Sequence, residues 1–154
     1  MAFLIDLTDD KFKIPGNEAV IGFIRRANPF AHTDPAGKLA QLGKAVAGVR
    51  IYVPSPRSAS YLALHADANV IFAPAFGMKT IALRLPPDVL AQGGAPFLDI
   101  GEDWLSVEAF RAPAASAAWD AMLQRWVEAA YRTAMERGRR PCPGQRRRVS
   151  RRPP

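Results

Sequence analysis

Two histidines, one cysteine and a short acidic loop are the residues through which this chain could do bond chemistry. His65 sits on a β-rich stretch with Ser60 and Asp67 near it in sequence, and His32 lies in a loop-like stretch. Nucleophilic catalysis needs a Ser, Cys or Thr beside a base that a third group orients. Ser60 and Asp67 are neighbours along the chain and do not by spacing make such a relay. No Gly-x-Ser-x-Gly elbow occurs. An ordinary surface or partly buried histidine therefore stands beside the catalytic reading of either residue. Asp99, Glu102 and Asp103 gather three carboxylates in one loop. Hard cations want several oxygen ligands, so calcium or magnesium could be held there. The spacing is not that of an EF-hand, and a solvated acidic turn is the competing reading. Phosphate cradles need a glycine-rich turn between a strand and a helix. Gly93-Gly94 follows a helical stretch, and Phe76-Gly77-Met78-Lys79 precedes a strand, so both fail that test. Nothing in the sequence calls for a cofactor.

The arginines carry a more direct physical implication. The chain has 154 residues and a formal net charge of +7. Residues 137–154 hold Arg137, Arg139, Arg140, Arg146, Arg147, Arg148, Arg151 and Arg152 with no acid, which is +8, and residues 1–136 carry −1. The body is nearly neutral and the basicity belongs to a tail. Such a run would neutralise phosphates and release counterions, giving salt-dependent, sequence-independent contact with DNA or RNA. No aromatic is interleaved, so base stacking is not suggested. An anionic membrane, an acidic protein, or no partner at all are the rival readings.

The length fits one domain, and about half the residues are apolar, enough for a core without metals or disulfides. Cys142 is the lone cysteine, which excludes a disulfide framework and a zinc site built on several cysteines. No run of about twenty apolar residues spans a membrane. The N-terminus meets acids at once and reads as no signal peptide, so a reducing, cytoplasmic setting is expected.

The elements that must position these groups follow from pattern. Val20, Ile21, Phe23 and Ile24 form an apolar stripe on a helix, with Asn17 as its N-cap and Asn28-Pro29 as its end. Asp34-Pro35 opens a second helix through Leu39, Leu42 and Val46, weakened by Gly43 and stopped by Gly48. Strands are expected at 49–53, 61–65, 69–73, 78–85 and 104–110, with Phe97–Ile100 as a further short edge strand. Pro74–Gly77 reads as a connection. On the 78–85 strand, Ile81, Leu83 and Leu85 share the face expected toward the core. Pro86–Gly93 is a short helix. Between Pro113 and Arg137, Trp119, Met122, Leu123, Trp126, Val127, Ala130 and Ala134 give a long helix one apolar face, which Gly138 ends. The two tryptophans read as core anchors.

From about Asn69 to Met135 this order resembles the MmcQ/YjbR-type proteins, whose fold is related to that of frataxin and CyaY. The likeness is carried by Val70-Ile71-Phe72-Ala73, Ala82-Leu83-Arg84-Leu85-Pro86, Asp88-Val89-Leu90, Asp103-Trp104-Leu105-Ser106-Val107 and Glu128-Ala129-Ala130-Tyr131. Two helical segments before Asn69, Arg84 in place of the usual lysine, and the basic tail depart from it. The resemblance implies an α+β sandwich and little about chemistry.

The expected architecture is α+β: a mainly antiparallel sheet covered on one face by helices, with a long C-terminal helix. Residues 1–137 form one domain, and 138–154 a disordered Arg/Pro-rich tail. The expected role is that of a small non-enzymatic binding protein contacting nucleic acid through the tail. The alternatives are a protein or small-ligand binding module with an apolar groove against the sheet, or an enzyme or metal site using His65 or the Asp99–Asp103 loop.

Overall fold

Alternation along the strands decides how the chain layers. Ile81, Leu83 and Leu105 point into one apolar cluster, while Ala82, Ile71 and Trp104 point into a second, so both faces of the sheet are buried. The computed structural model describes residues 10–27, 32–52, 62–110 and 117–139. The Phe3–Ile5 segment, the 54–58 loop, Ser60, Cys142 and the arginines from Arg140 onward lie outside them.

Five strands, β1 (Arg50–Tyr52), β2 (Leu62–His65), β3 (Ile71–Phe76), β4 (Thr80–Arg84) and β5 (Trp104–Glu108), form one antiparallel sheet in chain order. Tyr61–His65, where leucine and alanine favour helix, is strand from Leu62 onward because it pairs on both sides. The turn into β3 uses Asp67-Ala68, and Asn69 takes a left-handed φ of 61°, which asparagine tolerates better than most residues. The β3–β4 hairpin turns at Met78-Lys79 after Gly77 at φ 67°. The strand expected from Met78 thus begins at Thr80, and the connection expected at Pro74–Gly77 is mostly strand. Pro74 stands opposite Ala63, and the β3–β4 register is formed at Ala75 and Phe76 beside it. A proline at 74 therefore leaves those β4 pairings intact.

Helices α1 (Glu18–Ala27), α2 (Thr33–Lys44), α3 (Pro87–Gly93) and α4 (Ala117–Arg139) complete the α+β fold. α2 and α4 pack side by side on one face over Leu64, Phe72, Ile81, Leu83 and Leu105. Lys38 Nζ bonds Asp120 at 2.6 Å, and Gln124 Nε2 donates to the Leu42 carbonyl, fixing the two helices to each other. α1, with Phe12 ahead of it, closes the other face over Ala63, Ile71, Ala82 and Trp104.

Several local expectations change for physical reasons. Gly43 does more than weaken α2: a Cβ there would stand 2.9 Å from a Leu64 methyl, so the missing side chain lets helix and sheet approach. α2 is capped by the His32 ring, whose Nδ1 accepts from the Asp34 N–H at 3.2 Å, and Asp34 sits inside the first turn. The helix ends at Lys44, before Gly48. Phe97–Ile100 is a loop, not an edge strand: the Ile100 and Gly101 N–H groups both donate to the Phe97 carbonyl. At the C-terminal end, α4 runs through Gly138 to Arg139.

Candidate functional site

The residues singled out for catalysis and metal binding do not come together. His65 lies on β2 and Asp103 just before β5, with β3 and β4 between them, which at the usual strand spacing is roughly 14 Å. His65 is buried, with the Phe12 ring edge-on at 5.2 Å and Nδ1 3.1 Å from the Ala66 carbonyl. Burial pushes its pKa below the ordinary 6.5. The charges of Lys11 and Arg50 push the same way, against the opposing pull of the Ala66 carbonyl and Asp67. The imidazole is a neutral wedge between the sheet and the Phe12 turn. Protons bind it more readily in the unfolded chain, so stability falls as pH drops below about 6.5 and levels off below the folded pKa. Urea unfolding at pH 7.5 and 5.5 will show this loss, and His65→Phe will reduce it.

The acidic loop is also divided. Asp103 Oδ2 accepts from Arg84 Nε at 2.6 Å and lies 3.0 Å from Arg137 Nη1, while Arg84 Nη1 donates to the Gly16 carbonyl. Burial raises the Asp103 pKa, but the bond and charge of Arg84 and the charge of Arg137 outweigh it and hold the carboxyl below its usual range. This clip ties β4, β5, α4 and the segment before α1. Asp99 instead offers its backbone carbonyl to Arg26. Among the described residues, no group of three or more His, Cys, Asp or Glu could hold a metal. Of the eight arginines, Arg137 is engaged with Asp103 on the body, and Arg139 ends α4. Among the described residues, no helix is long and apolar enough to cross a membrane.

What the structure does assemble is a cleft on the outer edge of β5. The Leu85 N–H donates to the Asp103 carbonyl and the Ala109 N–H to the Lys79 carbonyl, so odd-numbered residues of this segment face β4. Even-numbered residues then face outward. Two of their carbonyls are taken: Trp104 O accepts from the Phe97 N–H at 2.7 Å, and Glu108 O accepts from the Trp119 indole at 3.1 Å. Between them, among the described residues, the Ser106 N–H and C=O have no backbone partner on the outer side. A hollow of about 430 Å³ opens at this point, lined by Ser106, Val107, Glu108, Trp119, Met122, Trp126 and the Gln92–Gly93 end of α3, with the Glu108 carboxylate paired to Lys79. Trp126 is the buried anchor the pattern predicts, whereas Trp119 stays half-exposed and meets it edge-on at 6.2 Å.

A second hollow of about 490 Å³ lies along α1, but its walls mix Lys13 and Arg25 with Glu18 and offer no open strand edge. The β5 cleft was invisible in the sequence, because it exists only once β5 is known to be an edge strand. The Trp119, Met122, Trp126 spacing was its one signal. No family model, no curated protein and no solved structure matches this chain.

Proposed function

We propose that this chain is a small binding module that takes an extended segment of polypeptide at the β5 edge. The observation that supports it most is that the Ser106 N–H and C=O, beside the Trp119–Met122–Trp126 hollow, have no backbone partner on their outer side among the described residues. An added strand would exchange main-chain hydrogen bonds with Ser106, and a side chain of the guest would enter the hollow against Trp119 and Met122, whose rim is polar at Gln92 and Glu108. The capped carbonyls of Trp104 and Glu108 limit the pairing to a short stretch, so side-chain burial supplies much of the affinity.

The test is selection of displayed random peptides on the immobilised full chain, repeated on Ser106→Pro. The Ser106 N–H faces outward, so proline removes the donor a guest strand needs without taking a bond from β4. Selected peptides will carry an apolar residue flanked by extended, proline-free sequence, and Ser106→Pro will weaken them about tenfold or more, about 1.4 kcal/mol. Peptides that bind both chains equally would sink the proposal.

A second reading is nucleic-acid contact through the arginine run, supported by the segregation of charge toward the C-terminus. Binding of a labelled duplex that falls steeply with salt and ignores Ser106→Pro would carry it. The likeness to MmcQ/YjbR-type proteins also stays a proposal. It is supported by the order of parts, with α2 and α4 together on one face of an antiparallel sheet.

A further inference from the structure

The β5 cleft is one end of a longer seam between α3 and α4. On α4, Trp119, Met122, Trp126, Ala129, Thr133 and Glu136 recur at spacings of three and four and form a single stripe. Three hollows follow that stripe in order. Trp119, Met122 and Trp126 meet Gln92 and Gly93; Ala129, Arg132 and Thr133 meet Asp88 and Val89; Thr133, Glu136 and Arg137 meet Pro86 and Pro87. The seam therefore begins beside the C-terminal end of α4, after which residues 140–154 follow in sequence, and ends at Ser106.

We infer that this chain's own Arg146–Arg152 segment is a ligand of the seam, held in cis with Val149 at the Trp119–Met122 hollow. The inference rests on the cleft reading above and names its occupant. Length is the first argument. From Trp119 to Arg139 the helix rises about 30 Å, and the ten extended residues from Arg139 to Val149 span about 33 Å, so Val149 returns to the level of Trp119. Composition is the second. Pro141, Pro143, Pro153 and Pro154 leave 144–152 as the stretch of the tail able to donate from every backbone nitrogen, and Val149 is its only aliphatic, β-branched residue. Charge is the third. Asp88 and Glu136 line the path and make no ion pair among the described residues, with Arg132 between them and Arg137, already bonded to Asp103, beside Glu136. Arginines flanking Val149 can also lie over the half-exposed Trp119 ring.

The test is paramagnetic broadening in the full chain carrying Cys142→Ser and Ser150→Cys, with a nitroxide on the new thiol. The seam reading expects the Trp119 indole and the Ser106–Glu108 amides to lose most of their intensity at low salt and to regain it at high salt. Adding Val149→Asp should restore the same signals. Broadening that simply decays along α4 away from Arg139 overturns the inference. So does broadening seen equally when labelled chain is mixed with unlabelled, isotope-enriched chain, which would place the tail on a second copy. If broadening is absent while Ser106→Pro still abolishes peptide binding, the cleft stands and only its cis occupant falls. If both are absent, the cleft falls as well.

Discussion

Replacing Asn17 with alanine lowers the free energy of unfolding by about 3 kcal/mol, the largest loss expected from any single polar side chain in this protein. Asn17 is fully buried. Its Nδ2 donates to the carbonyls of Phe12 and Asn69, both at 2.9 Å, and its Oδ1 accepts from the Ile71 N–H at 2.8 Å. Alanine removes all three bonds and strands the Ile71 N–H and the Asn69 carbonyl, each costing about 1–3 kcal/mol if water cannot reach it, while the Phe12 carbonyl keeps the Ile14 N–H. The same side chain joins the segment before α1 to the β2–β3 turn, so its loss also loosens Phe12 over Tyr52 and His65. Urea unfolding checks it, with exposed Glu18→Ala as a control expected within about 0.5 kcal/mol of wild type. A loss below about 1 kcal/mol for Asn17→Ala would mean that water replaces the amide and that the tether is unimportant.

Gly48→Ala is expected to cost about 2–3 kcal/mol, from two separable sources. Gly48 connects α2 to β1 at φ +88°, a conformation that strains any L side chain by about 1–2 kcal/mol. A Cβ there would also overlap the Tyr131 hydroxyl on α4. Tyr131 in turn packs edge-on against Phe72, so it cannot swing away freely. In a Tyr131→Phe background the overlap with the hydroxyl goes, the ring Cζ remains at 3.3 Å and the strain remains, so Gly48→Ala should cost only about 1–2 kcal/mol there. A double-mutant cycle measures the difference. Equal costs in both backgrounds would assign the whole effect to backbone strain and contradict the overlap.

These two residues show what the sequence concealed. The alternation of Ile81, Leu83 and Leu85 and the stripe from Trp119 to Ala134 were legible, because a side chain's face depends only on local period. So were the five strands themselves, since turn residues separate the apolar runs, although a sixth expected at Phe97–Ile100 is a loop. Asn17 reads locally as a helix cap, yet its partners lie up to 54 residues away and appear only after the sheet is assembled. Gly43 reads as a helix defect until Leu64 is seen beneath it. Pro74 reads as a break, yet it lies inside β3, where the pairing with β4 is confined to Ala75 and Phe76. The acids of 99–103 looked like one cluster, but Asp103 is claimed by arginines from β4 and α4. The β5 cleft depends on sheet order, on the loop that covers Trp104 O, and on the helix that covers Glu108 O. None of these is a property of a sequence window.

The same geometry says what the module would distinguish. On the proposed reading, selectivity at the cleft would rest on one side chain against Trp119 and Met122 and on the freedom of the guest backbone to pair at Ser106. Bulk charge at the seam would set how strongly the arginine tail competes for it, an effect that salt should screen.

The central claim is that an extended chain adds to β5 at Ser106, and amide hydrogen exchange at that one residue tests it most directly. The measurement compares the full chain at high salt, where arginine contacts are screened, with and without a saturating selected peptide. The account predicts that Ser106 exchanges fast alone and slows markedly with peptide, while Leu105 and Val107, already bonded to β4, stay slow in both. A peptide that binds at saturation and leaves Ser106 exchange unchanged would contradict it.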